Sequence, residues 1–229
     1  CAVRSRPPRS RPQAQVNLSR LLQLSSPTLP VGAYSYSGGL EAAIEAGVVT
    51  DAASAERWVG DVLEFSIVRM EAPLLRGLIL SFSSNDLSEA GNLNDQILAS
   101  RETAELRAET VQMGYSMNRL FRDLGVGEVP LAEPSFPAAY AFAVSKWEIE
   151  PEAALQAYLW AWLENQVMAA VKAVPLGQTD GQRILLSLGS GLEAFARRIT
   201  AMKDDDIGNF APGLAMLSAK HETQYSRLF

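Results

Sequence analysis

His221-Glu222 is where metal or general-base chemistry would be sought first in this chain. The zinc-protease pattern H-E-x-x-H needs a second histidine one helical turn on, and that position is Tyr225, so the second ligand is missing. There is one histidine in the chain and one cysteine, Cys1, so no usual zinc ligand set and no internal disulfide can be assembled. Gly189-Ser190-Gly191 falls short of a nucleophile elbow, because Leu192 and Glu193 follow where a second spaced glycine is required. Gly177 to Arg183 lacks both the spacing and the lysine of a phosphate-binding loop. Asp204, Asp205 and Asp206 read as a solvated acidic loop before they read as a cation site. No complete catalytic set and no cofactor motif emerge.

The remaining charged candidates have bland readings of their own. Glu41 stands in the first turn of a helix, where the dipole favours an acid. Glu105 reads as a wet helix-face charge, and Lys172 as a side chain snorkelling from the end of a buried helix. His221 reads as a structural or interface group. Tyr34, Tyr36, Tyr225, Leu228 and Phe229 suit either a protein interface or the core.

These residues must be positioned by a chain of 229 residues, 48% hydrophobic and 20% charged, which can bury a sizeable core. Its net charge of −6 is uneven: residues 1–40 hold five arginines and no acid, leaving the rest strongly acidic. An acidic body argues against nucleic-acid binding. The Arg4–Pro12 stretch, basic, serine-containing and acid-free, reads as a disordered basic extension or a targeting segment over residues 1–15. The least charged run, Ala153 to Val171, still carries Gln156, Glu164, Asn165 and Gln166, so no membrane span is expected.

Hydrophobic spacing is helical almost throughout. It predicts helices from Val16 to Leu24, Leu40 to Ala46, about Asp51 to Phe82, Arg101 to Leu124, Ser135 to Trp147, Pro151 to Val174, Thr179 to about Lys203, and Leu214 to Glu222, with a weaker one over 85–100. Pro73 should kink or break the third of these. Arg101–Glu105 and Arg119–Asp123 have the spacing of exposed pairs along a helix. No β-alternation of convincing length appears. The expectation is an all-α single-domain bundle of about eight to ten helices, spanning residues 16–229.

Four segments then point one way. LLQLSSPTLPVGAYSYSGGLE (21–41), RETAELR with QMG (101–107 and 112–114), AAVKAVPLGQ (169–178) and HETQYSRLF (221–229) together resemble, in order, the motifs of the urease accessory protein family UreF. The resemblance runs from about Leu21 to Phe229. It implies an all-α, dimeric, non-enzymatic maturation factor for the nickel enzyme urease. Such a factor bridges a scaffold partner, UreD or UreH, and the GTPase UreG, and regulates GTP-dependent nickel delivery to apo-urease in the cytoplasm. It places Glu41, Glu105, Lys172 and Gln178 on the GTPase-facing surface. It places His221, Glu222, Tyr225, Ser226, Arg227, Leu228 and Phe229 in the segment used when the scaffold binds. The alternatives carried beside it are a helical interaction module unrelated to urease and a small hydrolase built on His221 and Glu222.

Overall fold

The computed structural model describes residues 13–222, with side chains from Leu18 onward. Tyr225, Ser226, Arg227, Leu228 and Phe229 lie outside the described residues, as does most of the basic extension over residues 1–15. Among the described residues every regular element is helical. In chain order they are α1 (Gln13–Leu24), α2 (Leu40–Glu45), α3 (Ala52–Val62), a π-helix (Leu63–Glu71), α4 (Ala72–Ser84), α5 (Leu87–Ala99), α6 (Ala104–Asp123), α7 (Phe136–Lys146), α8 (Pro151–Ala173), α9 (Gln178–Gly189), α10 (Leu192–Ala201) and α11 (Pro212–His221), with two short 3-10 turns. The fold class is the expected all-α domain. Since α3, the π-helix and α4 run on as one rod, ten helical rods are described.

The rod departs from the sequence expectation at Pro73. Proline has no N–H for the carbonyl four residues back and its ring crowds that carbonyl. The chain answers by winding Leu63–Glu71 as a π-helix, so Pro73 falls in the first turn of the next α-helix. The carbonyl of Arg69, four residues before Pro73, accepts instead from the N–H of Gly208, at 3.1 Å. Phe210 N–H donates to Phe65 O in the same way, at 3.2 Å. The segment between α10 and α11 is thereby strapped along the rod.

Capping sets the helix starts. Asp51 accepts from Ser54 N–H at 2.8 Å, and Ser54 Oγ accepts from Asp51 N–H at 3.0 Å, a reciprocal cap that opens α3. Thr103 caps α6, Ser135 caps α7 and Glu150 caps α8. Two junctions differ from expectation. The start of α9 falls at Gln178, one residue before the predicted Thr179, and is held by Asp180 accepting from Gly177 N–H at 3.4 Å. The predicted helix to Lys203 breaks at Ser190-Gly191 into α9 and α10.

Helix α8 is apolar on most sides and buries Leu155, Tyr158, Leu159, Leu163 and Val167 among α1, α2, α3, α4, α9 and α10. Each such side chain contributes about 1.5–3 kcal/mol when fully buried. Helix α1 packs on α8, and just past the end of α1 Ser25 Oγ donates to Ala157 O at 3.3 Å. Helices α5 and α7 pack on α4 and on each other, and α6 packs on the far side against α7. Helix α6 crosses the backbone before α7 at Gly114, where a Cβ would stand 2.1 Å from Pro134 O. Asn94 of α5 fixes that same backbone, accepting from Ser135 N–H at 2.9 Å and donating to Glu133 O at 3.1 Å.

Candidate partner-docking site

The glycines at the entry to α2 bring its first turn into the molecule. Gly38 and Gly39 have φ of 55° and 84°, the left-handed region that glycine enters freely. A Cβ on Gly39 would stand 2.6 Å from Leu214 of α11, and one on Gly38 2.9 Å from the Gln166 amide of α8. This close approach buries Glu41, which is 5% exposed.

Helix α11 comes in from the other side. His221, in its last turn, is 4% exposed and stands between two carboxylates. Its Nδ1 lies 2.8 and 2.9 Å from the oxygens of Glu105, and its Nε2 lies 3.4 Å from Glu41 Oε2. Glu222 Oε1 accepts from Glu105 N–H at 3.2 Å, at the dipole-positive end of α6. One turn earlier Ser218 shares a hydrogen bond of 2.8 Å with Thr103, the cap of α6. Residues from three distant motifs thus meet in one buried cluster.

Lys172 and Gln178 stand on the surface. Lys172, in the last turn of α8, donates to Tyr34 O at 3.5 Å and sits 5.8 Å above the Tyr34 ring. The four residues implied for the GTPase face therefore divide. Lys172 and Gln178 are exposed, whereas Glu41 and the half-buried Glu105 face His221 of α11.

Two cavities flank the 33–39 turn. One, of about 260 Å³, runs between α1, the rod, α6 and α8 and has mostly apolar walls. The other, of about 430 Å³, is lined by Tyr36, Glu105, Glu109, Gln112 and His221 among others.

Beside the first cavity lies an ionic cluster that sequence reasoning missed. Arg101 pairs with Glu71 at the end of the π-helix, in place of the expected partner Glu105. Tyr158 of α8 donates to the other oxygen of Glu71 at 2.6 Å. Burial works against the Arg101 charge, but Glu71, with Tyr158 and Glu109 adding to it, holds the guanidinium above its ordinary range. Burial, with Glu71 second, pushes the Tyr158 hydroxyl well up. Burial likewise pushes the Glu109 carboxyl to about 7, against the pull of Arg101 and with help from Glu71 and Glu105. Tyr36 is raised by burial and then by Glu109. The one sequence signal was a glutamate, Glu71, set in an apolar run; its partners are remote in the chain and carried no mark.

Among the described residues no group of three or more His, Cys, Asp or Glu side chains is arranged to hold a metal ion. The two nitrogens of His221 are turned to carboxylates on opposite sides. No described helix is long and apolar enough to cross a membrane.

The family profile UreF matches residues 49–189. A "Urease accessory protein UreF" of Azoarcus sp. (strain BH72) is 54% identical over 221 residues, covering 93% of this chain and 94% of its own length. The chain belongs to the UreF family. The protein of the same description from Dechloromonas aromatica (strain RCB) is 52% identical over 222 residues, 93% of this chain and 97% of its own. That of Janthinobacterium sp. (strain Marseille) is 48% identical over 224 residues, 95% and 99%. UreF membership, argued above from four short motifs, thus extends over nearly the whole chain, and it sets aside the interaction module unrelated to urease. The UreF relatives are described as urease accessory proteins.

Proposed function

We propose that this chain is a non-enzymatic adapter in urease maturation: it bridges the UreD/UreH scaffold and the UreG GTPase, as a homodimer, and regulates GTP-dependent nickel delivery to apo-urease in the cytoplasm. The observation that carries the reading is the Glu41–His221–Glu105 cluster within a UreF-family chain. It ties the residues implied for the GTPase face to the base of the segment implied for the scaffold, Glu222 and Tyr225 to Phe229. Nickel is cargo in this reading, guided through the complex and not held by a ligand set of this chain. Mixed charges such as Lys172 and Glu105 suit partner selection and orientation more than raw affinity.

The test is reconstitution of apo-urease with nickel, GTP, scaffold and GTPase, with and without this chain. Lys172→Ala together with Gln178→Ala should leave the fold and scaffold capture intact and lose the GTPase in co-purification, because both side chains are on the surface. Full GTPase recruitment by that double variant, or equal urease activation without the chain, sinks the reading.

A further inference from the structure

Glu109 is a cavity-lining carboxyl with no direct hydrogen-bond partner, feeling Arg101 only through space. Among the described residues it makes no hydrogen bond or ion pair, although it lines both the 260 Å³ cavity and the 430 Å³ cleft. The charged and titratable groups around it come from every neighbouring element. Glu71 acts on it from the π-helix, Arg101 from the turn before α6 and Tyr36 from the turn before α2, while Glu102 and, from α8, Tyr158, Glu164 and Lys172 line the same cavity. Glu105 lies one turn back on its own helix, with His221 of α11 beyond. Arg101 is committed to Glu71, which also takes the Tyr158 hydroxyl. The charged side chains lining the cavity are Glu71, Glu102, Glu109 and Glu164 against Arg101 and Lys172, an excess of acid. The cavity walls beside Glu109 are apolar: Leu106, Met113, Phe136 and Trp162.

We propose that this cavity binds an organic cation, a guanidinium or alkylammonium group on an apolar stem, with the Glu109 carboxylate as its counter-ion. The stem covers the apolar wall, which favours binding by removing apolar surface from water. The head group supplies the charge that Arg101 does not. A charge-assisted contact of this kind is stronger than a neutral one, and more so where water is scarce. A free organic cation and an arginine or lysine side chain of a partner protein present the same chemistry. Lys172 and Tyr34 also line this cavity, but the site turns on Glu109, which the adapter reading does not use.

Calorimetric titration of the full chain with n-butylguanidinium tests this, with n-pentanol as the uncharged stem. Guanidinium keeps its charge at any working pH. One-site binding is expected, about tenfold tighter at pH 8 than at pH 6, because a carboxyl titrating near 7 goes from about one-tenth to about nine-tenths ionised. Glu109→Gln should lose that pH dependence and at least about tenfold in affinity at pH 8, whereas Glu109→Asp should keep the dependence. Pentanol binding as tightly as the cation, Glu109→Gln behaving as wild type, or no saturable binding at pH 8 by the folded protein each overturns the proposal. A capped Leu-Arg-Leu peptide separates the sources. Binding as tight as the free cation assigns the site to a partner's side chain, and binding of the free cation alone assigns it to a small molecule.

Discussion

Glu105 and Glu109 are one turn apart on α6 and have the same sequence signature, yet their surroundings set them apart. Glu105 meets His221, while Glu109 meets two other carboxylates and a guanidinium already engaged. Burial and like charge favour the neutral acid at Glu109, so its folded titration point, about 7, lies above the ordinary 4.5. The sign of the linkage follows. Glu109 favours the folded state fully below the ordinary carboxyl range, and that contribution is lost as pH rises through about 7. Glu109→Gln should flatten this slope. Urea denaturation should find the variant's stability relative to wild type about 1–3 kcal/mol higher at pH 8 than at pH 5. Parallel stability curves for the two proteins over that range would show that burial of Glu109 has no energetic consequence.

The elements are joined by contacts that leave little room for change. At Gly114 the obstacle to a side chain is backbone, Pro134 O at 2.1 Å and Ser135 C at 2.7 Å, and backbone cannot swing aside as a side chain can. Asn94 anchors that backbone from the far side. Gly114→Ala, which in an exposed helix would be favourable, should here separate α6 from α7 and cost about 3 kcal/mol. In a domain of this size that lowers the melting temperature by about 6–12 °C. A melting temperature equal to or above wild type would mean that the crossing is looser than described. The π-helix is the opposite case. There the rod absorbs Pro73 by rewinding, and a remote segment supplies the missing donor through Gly208 N–H. Rewinding also sets the rotation of Glu71, which ends the π segment and faces Arg101 and Tyr158.

Across the whole molecule, α8 holds the core together and α11 is held mainly by its edges. Its anchors are Leu214 over Gly39, Ser218 on Thr103, and His221 between α2 and α6. His221→Gln withdraws the ring that spans the two carboxylates. A hydrogen bond to a charged group contributes about 1.5–3 kcal/mol, so opening of α11 should become about tenfold more frequent or greater. Amide exchange should therefore accelerate over Pro212–His221 while the buried amides of α8 keep their protection. Unchanged exchange in α11 would show that the cluster does not fasten this helix. Uniform acceleration in α8 as well would show that α11 is an integral part of the core.

The sequence by itself determined what is local and periodic. Apolar spacing fixed an all-helical chain, Asp51 marked a helix start, and Pro137 and Pro151 opened helices as first-turn residues do. The family motifs likewise singled out Glu41, Glu105, Lys172 and His221. Only the tertiary structure decided which of those residues touch. The spacing that pairs Arg101 with Glu105 along one helix was overruled by Glu71, 30 positions away, and His221 found Glu41 180 positions away. Helical periodicity reports which face of a helix is apolar; it carries no information about which charge waits on the helix packed opposite. Whether a charged side chain is wet or buried depends on that opposing surface, and only the folded chain supplies it.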